Sequence, residues 1–539
     1  MPILQWLDRD KTIKQTGRAP YRLLEADTKL SYGDKDSQNL LIQGDNLEAL
    51  KALLPYYAGK VKCIYIDPPY NTGSAFEHYD DSLEHTKWLE MMYPRLELLH
   101  QMLSEDGFFA CHIDDAEGPY LKVILDEIFG RTNYETTFYI QVRYLNKTLK
   151  LDMAYHKQIE QVHIYKKSRL AKAVKPREDG NFDKFNIKIE TEVEPHKTII
   201  LGGKKVDLFL PSQYKIIKND QGSRDGLKEI WATGSILDGN SSGRFFRDYL
   251  TGRYKEDGLG VIYKVYGIGD DQYDYRYFTG PKKDGATKGK YYQGVPIEKL
   301  DGSIKEYPIH NFYDFADRFG NCRHEGNVDF RSGKKPEHFI QLILSRFSNE
   351  KDLILDSFSG SGSTIATALK MNRRFIGIEM GEHAKTHCTV RLQKVIDGEQ
   401  GGISKDINWQ GGGGFRFYHL GEAIFDEDGQ INKNIRFEHL AAHIWFSETK
   451  TPLQNNSGQK EKSPLLGVHN GTAYYLLFNG ILGDKSVSGG NVLTAKTFAS
   501  LPKFNGPKVI YGETSRLGFS KLEENQITFK QTPYDIKAR

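Results

Sequence analysis

The chain has 539 residues, 38% of them hydrophobic, which is enough to bury a large core and too much for one compact unit, so two to four domains are expected. Lys plus Arg number 74 against 71 Asp plus Glu, and the resulting net charge of +3 neither demands nor excludes a polyanionic partner. Cys63, Cys111, Cys322 and Cys388 lack the paired spacing of a zinc site or disulfide framework, and neither a signal peptide nor a run of ~18–20 apolar residues is present, so a soluble, cytoplasmic protein without membrane association is expected.

Residues 1–38 are read as an N-terminal arm. From Asn39 onward, apolar runs alternate with amphipathic stretches: LLIQ (40–43), DNLEALKALLPYY (45–57), VKCIYID (61–67), TKWLEMMYPRLELLHQML (86–103) and GFFACHID (107–114). Short buried strands separated by helices predict an α/β fold with a doubly wound, mostly parallel sheet over 39–167. Residues 168–330 change texture, becoming rich in Gly, Tyr, Lys and Arg, with short strand-like runs such as KTIIL (197–201) and VIYKVY (261–266). This predicts an inserted, β-rich domain. Over 166–230 it carries 15 Lys/Arg against 10 Asp/Glu. The α/β grammar returns over 331–408 with HFIQLILSRF (338–347), DLILD (352–356), STIATALKM (363–371) and RFIGIEM (374–380).

Four consecutive glycines in WQGGGGFRF (409–417) suit either a flexible linker or a tightly packed backbone. A smaller C-terminal α/β domain over 409–539 is expected to follow, serving dimer or partner contacts. It contains strand-like TAYYLLFNGIL (472–482) and PKVIYG (507–512), and KTPLQNNSGQKEKSP (450–464) reads as a mobile loop.

Asp67-Pro68-Pro69-Tyr70 follows the apolar run CIYI directly, which places it at the carboxyl rim of the sheet, where ligands bind in such folds. The prolines fix the backbone and remove two amide donors, leaving carbonyl oxygens as acceptors. If Asp67 and the Pro68 carbonyl each accept one N–H of an aromatic amine, the nitrogen lone pair is freed for attack on an electrophilic methyl group, by positioning alone. Tyr70 then offers a flat face for an unstacked base. An ordinary rigid turn is the competing reading of the same tetrapeptide.

The second motif, Asp356-Ser357-Phe358-Ser359-Gly360-Ser361-Gly362-Ser363, lies between a strand and a helix, where glycines let a backbone approach a ligand. It departs from G-x-G-x-x-G, so a nicotinamide site fits poorly. Glu379 ends the next strand, a suitable place for an acid that accepts from ribose hydroxyls. The run 285–290 looks like a phosphate loop but has three residues between its glycines and Tyr291 where Ser or Thr should stand, which argues against an ATPase. His112, Asp114 and Asp115 are read as hydrogen-bonded loop starts, and no metal is assigned.

Asp-Pro-Pro-Tyr preceding Phe-x-Gly-x-Gly resembles the permuted β group of DNA amino-methyltransferases, and most closely the modification (Mod) subunits of Type III restriction-modification systems, over roughly residues 20 to 420. The resemblance implies a Rossmann-like methyltransferase sheet, with 39–167 as the catalytic half, 331–408 as the S-adenosylmethionine-binding half and 168–330 as the target-recognition domain. It implies that Asp67, Pro68, Pro69 and Tyr70 form the catalytic motif. Asp356, Phe358, Ser359, Gly360, Ser361, Gly362 and Ser363, together with Asp67, would form the cofactor site, with Glu379 on the ribose, Asp45 near the adenine, and Lys335 and Pro336 toward the methionine end.

The stretch ending in YHKQIEQVHIYKK (155–167) resembles the strand pair that closes the sheet. The activity implied is methyl transfer from S-adenosylmethionine to adenine N6 of double-stranded DNA with base flipping, since members acting on cytosine N4 usually carry Ser at position 67. The partners implied are a second copy of the chain and a restriction (Res) helicase-nuclease subunit. Within the insert, Arg244, Arg247, Arg276, Lys282, Lys283, Lys288 and Lys290 interleave with aromatics and are the expected DNA contacts. Cytosine-N4 methylation, a recognition subunit without turnover, and methylation of a non-DNA amine or amide stand as the alternatives.

Overall fold

The computed structural model describes residues 3–71, 84–146, 155–178, 182–233, 241–286, 288–300, 305–330, 333–453, 463–483 and 490–536. Thr72-Gly73 and most of the loop expected over 450–464 lie outside these residues. The chain separates into two compact units, one formed by 1–174 with 310–539 and the other by 175–309.

In the first unit, chain order runs α1 (Arg9–Arg18), β1 (Arg22–Gly33), β2 (Leu40–Gln43), α2 (Asn46–Tyr57), β3 (Val61–Ile66), α3 (His85–Met102), β4 (Leu103–Ile113), β5 (Tyr134–Gln141) and β6 (Ile159–Lys166). After the second unit come β7 (Phe312–Asp314), α4 (Glu337–Phe347), β8 (Leu353–Asp356), α5 (Ser363–Lys370), β9 (Arg374–Glu379) and β10 (Gly414–Ala423). The ten strands make one sheet, in the order β1-β10-β2-β9-β8-β3-β4-β6-β5-β7. From β10 to β4 every neighbour is parallel, while β1, β6 and the β5–β6 pairing are antiparallel. The expected doubly wound, mostly parallel sheet is therefore present, with β5 and β6 as the expected strand pair.

Burial explains this order. Ile42, Ile64, Ile66, Leu355, Ile376 and Ile378 are fully buried, as strands sandwiched between two helical layers require. Trp88, Met92, Leu96 and Leu99 of α3 and Leu50 and Leu53 of α2 pack into the same core.

The sheet also recruits two segments expected outside it. β1 falls in the supposed N-terminal arm and β10 in the supposed C-terminal domain, yet they pair with each other, and β10 then pairs with β2. The glycine run makes this possible. Cβ atoms built on Gly33 or Gly414 would collide with the facing backbone at Gly413 and Asp34, so the packed-backbone reading of the glycines holds and the linker reading does not.

The second unit is built on a six-stranded antiparallel sheet whose central strands are Tyr275–Thr279 and Ile262–Tyr266, as expected for a β-rich insert. Val206, Phe246, Val265 and Phe278 are among its core residues. Beyond β10 a four-stranded sheet forms from Leu465–His469, Thr472–Leu476, Lys508–Gly512 and Ile527–Gln531. The strand expected over 472–482 stops at Leu476, and Asn479 and Gly480 follow with left-handed φ of 52° and 66°. No helix among the described residues is long and apolar enough to cross a membrane.

Candidate active site

Asp67-Pro68-Pro69-Tyr70 leaves the carboxyl end of β3, and the turn Asp356–Ser363 leaves the carboxyl end of the adjacent β8. Together they line one solvent-open cleft with about 710 Å³ of empty space, joined by Tyr65, Phe330, Gly333, Lys335 and Thr364. Adjacent parallel strands place both motifs at the same rim, although they are far apart in the chain.

Asp67 is held on both oxygens. Tyr70 Oη donates to Oδ1 at 2.8 Å, and Lys335 Nζ stands 2.9 Å from Oδ2. Lys335 also lies 4.9 Å from the centre of the Tyr70 ring, so an ammonium occupies part of the space over the face expected to receive a base. The Pro69 carbonyl is not available to a ligand as an empty acceptor, since Trp88 Nε1 of α3 donates to it at 2.7 Å. The motif is thereby anchored to the core through an indole that is itself fully buried.

Glu160, at the amino end of β6, completes the cluster. Its Oε2 accepts from Tyr70 Oη at 3.1 Å and lies 2.9 Å from His112 Nε2 and 3.9 Å from Lys335 Nζ. Burial pushes this carboxyl up, but the Lys335 charge and the hydrogen bonds from His112 and Tyr70 outweigh it and hold the group down at about 2. For Lys335, burial works against the charged form, and the carboxylates of Asp67 and Glu160 override it and raise the ammonium above its ordinary value. His112 is fully buried, with Nδ1 3.0 Å from Tyr65 Oη, so it is a hydrogen-bonded strand end as expected.

The glycine turn is organised by two acids. Asp356 Oδ1 accepts from the Phe358 amide at 2.9 Å. Burial, reinforced by the Asp67 and Glu379 charges, pushes Asp356 up to about 7 against the hydrogen bonds from Thr364 and that amide. Glu379 is buried beneath the turn, with Oε2 accepting from the Gly360 amide at 2.7 Å and Oε1 from the Gly381 amide at 3.1 Å. Gly360 and Gly362 have left-handed φ of 51° and 76°. A Cβ on Gly362 would press on Cys388 Cα at 3.3 Å, so the residue is needed for both conformation and space.

The remaining cofactor candidates stand apart from the cleft wall. Asp45 caps α2 by accepting from the Leu47 and Glu48 amides at 2.9 and 3.3 Å, and Arg95 Nη2 donates to its other oxygen at 2.7 Å. Pro336 is the N-cap of α4. Lys335, by contrast, lines the cleft with the glycine turn and is the ammonium that balances the Asp67 and Glu160 carboxylates.

In the second unit the seven expected DNA contacts divide. Arg244, Lys282, Lys283 and Lys288 are exposed. Arg247 and Lys290 are half-buried and paired with Asp248 at 2.6 Å and Glu229 at 2.5 Å. Arg276 is a correction: it is 1% exposed, with Nη1 donating to Ser242 Oγ and Nη2 to Asp271 Oδ2, both at 2.6 Å, so its charge is spent inside the fold. Four of the interleaved aromatics, Phe245, Phe246, Phe278 and Tyr291, are likewise buried core residues, while Tyr273 and Tyr275 are half-buried.

Sequence reasoning missed Glu160, Trp88 and Thr364. For Glu160 a signal existed: an acid opening the antiparallel closing strand falls at the same rim as the carboxyl ends of the parallel ones. Trp88 and Thr364 carry no such mark, because both lie on helices within apolar patterns.

A parallel sheet with two rim motifs in one cleft defines a Rossmann-like methyltransferase architecture, and a family model described as DNA methylase matches residues 61–389, more than half of the chain. The chain belongs to that DNA methylase family. It is 32% identical over 422 residues to a probable type III restriction-modification enzyme HindVI Mod subunit of Haemophilus influenzae, covering 72% of this chain and 55% of the relative. It is 26% identical over 439 residues to the type III restriction-modification enzyme EcoPI Mod subunit of Escherichia phage P1, covering 70% and 63%. The chain thus spans roughly three-fifths of the length of these relatives. A solved PvuII DNA methyltransferase (cytosine-N4-specific) aligns over 69% of this chain and 91% of its own at 11% identity, with a TM-score of 0.33.

Proposed function

We propose that the chain is a sequence-specific DNA methyltransferase that uses S-adenosylmethionine to methylate adenine N6 in duplex DNA, as the modification and recognition subunit of a type III restriction-modification system. The observation that carries this reading is the convergence of Asp67–Tyr70 and the Asp356–Ser363 turn on one cleft. The donor set fits the cofactor. Lys335 offsets Asp67 and Glu160, while Asp356 feels the negative charges of Asp67 and Glu379, an acidic balance that favours a ligand carrying positive charge. Glu379, at the end of the strand after the glycine turn, accepts the Gly360 and Gly381 amides and is the acid proposed to face the ribose hydroxyls.

S-adenosylmethionine in this cleft would supply an electrophilic methyl group on a sulfonium. The chain's own residues do the rest by positioning. Asp67 and the Pro68 carbonyl accept the N–H bonds of the base amine and return its lone pair to nitrogen, and the Asp67 carboxylate is the acceptor for the proton that the amine gives up. Trp88 fixes the motif through the Pro69 carbonyl. Because an amine inside a duplex cannot reach this cleft, the target nucleotide leaves the stack.

Adenine is favoured over cytosine by Asp at position 67 and by the likeness to type III Mod subunits. The unit 175–309 is assigned target recognition, supported by the exposed Arg244, Lys282, Lys283 and Lys288. A second copy of the chain and a Res helicase-nuclease subunit are the proposed partners, with the segment after β10 as their contact region.

The test is methyl transfer from labelled S-adenosylmethionine to mixed-sequence duplex DNA by the intact chain and by Asp67→Ala, followed by digestion to nucleosides. Label in N6-methyladenine that disappears in the variant is expected. Label in N4-methylcytosine would reassign the base, and duplex binding without label would leave a recognition protein without turnover.

A further inference from the structure

The phenol of Tyr70 has one proton and two carboxylate acceptors, Asp67 Oδ1 at 2.8 Å and Glu160 Oε2 at 3.1 Å. One O–H makes one strong hydrogen bond at a time. Asp67 Oδ2 faces Lys335, so while the phenol points at Oδ1 an amine N–H donating there shares that oxygen with the phenol proton. We infer that Glu160 is a positioning residue that takes the Tyr70 hydrogen bond when a substrate amine donates to Asp67, freeing Oδ1 for that amine. The inference deepens the methyl-transfer reading and rests on it.

The surroundings of Glu160 are built for such an exchange. Its carboxylate lies between Tyr70, Lys335 and His112, and His112 is fixed from its far side by Tyr65. Those contacts keep Glu160 anionic at neutral pH, so it competes with Asp67 for the phenol on equal charge. The phenol keeps its proton throughout, and only the direction of the hydrogen bond changes. Without the charge on Glu160, the phenol would remain on Asp67, its one remaining anionic acceptor.

Glu160→Gln preserves size and a neutral acceptor oxygen but removes that competition. Single-turnover methyl transfer should fall about tenfold or more while S-adenosylmethionine affinity stays within about twofold. Tyr70→Phe removes the proton in dispute, so the double variant Tyr70→Phe/Glu160→Gln should transfer within about threefold of Tyr70→Phe alone. Losses that simply add, or an unimpaired Glu160→Gln, overturn the inference.

A second readout needs no turnover. The Tyr70 ¹³Cζ resonance, assigned from Tyr70→Phe and recorded at neutral pH, reports the hydrogen bonding of the phenol and should move in Glu160→Gln. An unmoved resonance overturns the placement of Glu160. A wild-type chain that transfers no methyl group would sink the methyl-transfer reading, and the resonance would still decide whether Glu160 shares the Tyr70 proton.

Discussion

Asp356 is 2% exposed and faces the charges of Asp67 and Glu379, so ionising it is costly. Its folded value of about 7 lies above the ~4 of an unfolded Asp. Between those two pH values the folded chain holds a proton that the unfolded chain has released, so this group's contribution to stability falls as pH rises, by up to ~1.4 kcal/mol per pH unit, and levels off above the folded value. Asp356→Asn keeps the shape and an acceptor for the Phe358 amide but has no charge to bury. Thermal unfolding of the ligand-free proteins should therefore show the variant gaining on wild type from pH 5 to pH 7.5 and then running parallel to it. Parallel curves over the whole range would mean that Asp356 is solvated or paired more fully than its neighbours imply. The same residue shows what the sequence conveys of the site: Asp356 and Asp67 are legible because each ends an apolar run at a predictable rim, whereas their mutual repulsion depends on the β8–β3 pairing, which no local pattern encodes.

At the scale of elements, Glu337 is the junction that frames the glycine turn. It opens α4, and its Oε2 meets Lys370 Nζ at the end of α5 while Oε1 meets Arg391 Nη2, both at 2.7 Å, with all three side chains fully buried. Arg391 also donates to Ser363 Oγ at 2.8 Å, which ties the start of α5 to the same network. Removing one partner of a buried pair leaves a charge in low dielectric. Lys370 also pairs with Glu399, so Glu337→Gln chiefly strands Arg391 and is expected to cost ~3–5 kcal/mol, read from the urea midpoint at constant slope, and a loss under ~1 kcal/mol would show that Arg391 finds water or another acceptor. None of this is visible in sequence, because E-H-F-I-Q-L-I-L reads as an ordinary amphipathic helix whose first acid belongs at a helix start. The strands β2, β3, β8 and β9 are legible because burial on both faces leaves apolar runs. β1 and β10 are not: R-L-L-E-A-D-T-K-L-S-Y-G is half-exposed at the sheet edge, G-F-R-F-Y-H-L-G-E-A is half-buried beside it, and both mix polar with apolar residues.

For the whole molecule, the near-balanced charge conceals two different uses of cations in the unit 175–309. Arg276 is consumed by Asp271 and Ser242, while Arg244, Lys282, Lys283 and Lys288 stand exposed. Composition could not separate them, because the same Arg-aromatic interleaving arises from a β-sheet core and from a nucleic-acid surface. Duplex binding separates them physically. Each phosphate neutralised by a Lys or Arg contributes about 0.9 to the dependence of log affinity on log salt, so the combined variant Arg244→Ala, Lys282→Ala, Lys283→Ala and Lys288→Ala should lose up to about 3.6 of that slope while unfolding at the wild-type temperature. Arg276→Ala should do the reverse. By stranding a buried Asp271 it costs ~3–5 kcal/mol of stability, and it should weaken binding only to the extent that the unit unfolds, leaving the salt slope of the folded fraction intact. An unchanged slope in the fourfold variant would assign the phosphate contacts to other cations of the chain, and a reduced slope in folded Arg276→Ala would place this arginine at the duplex despite its burial.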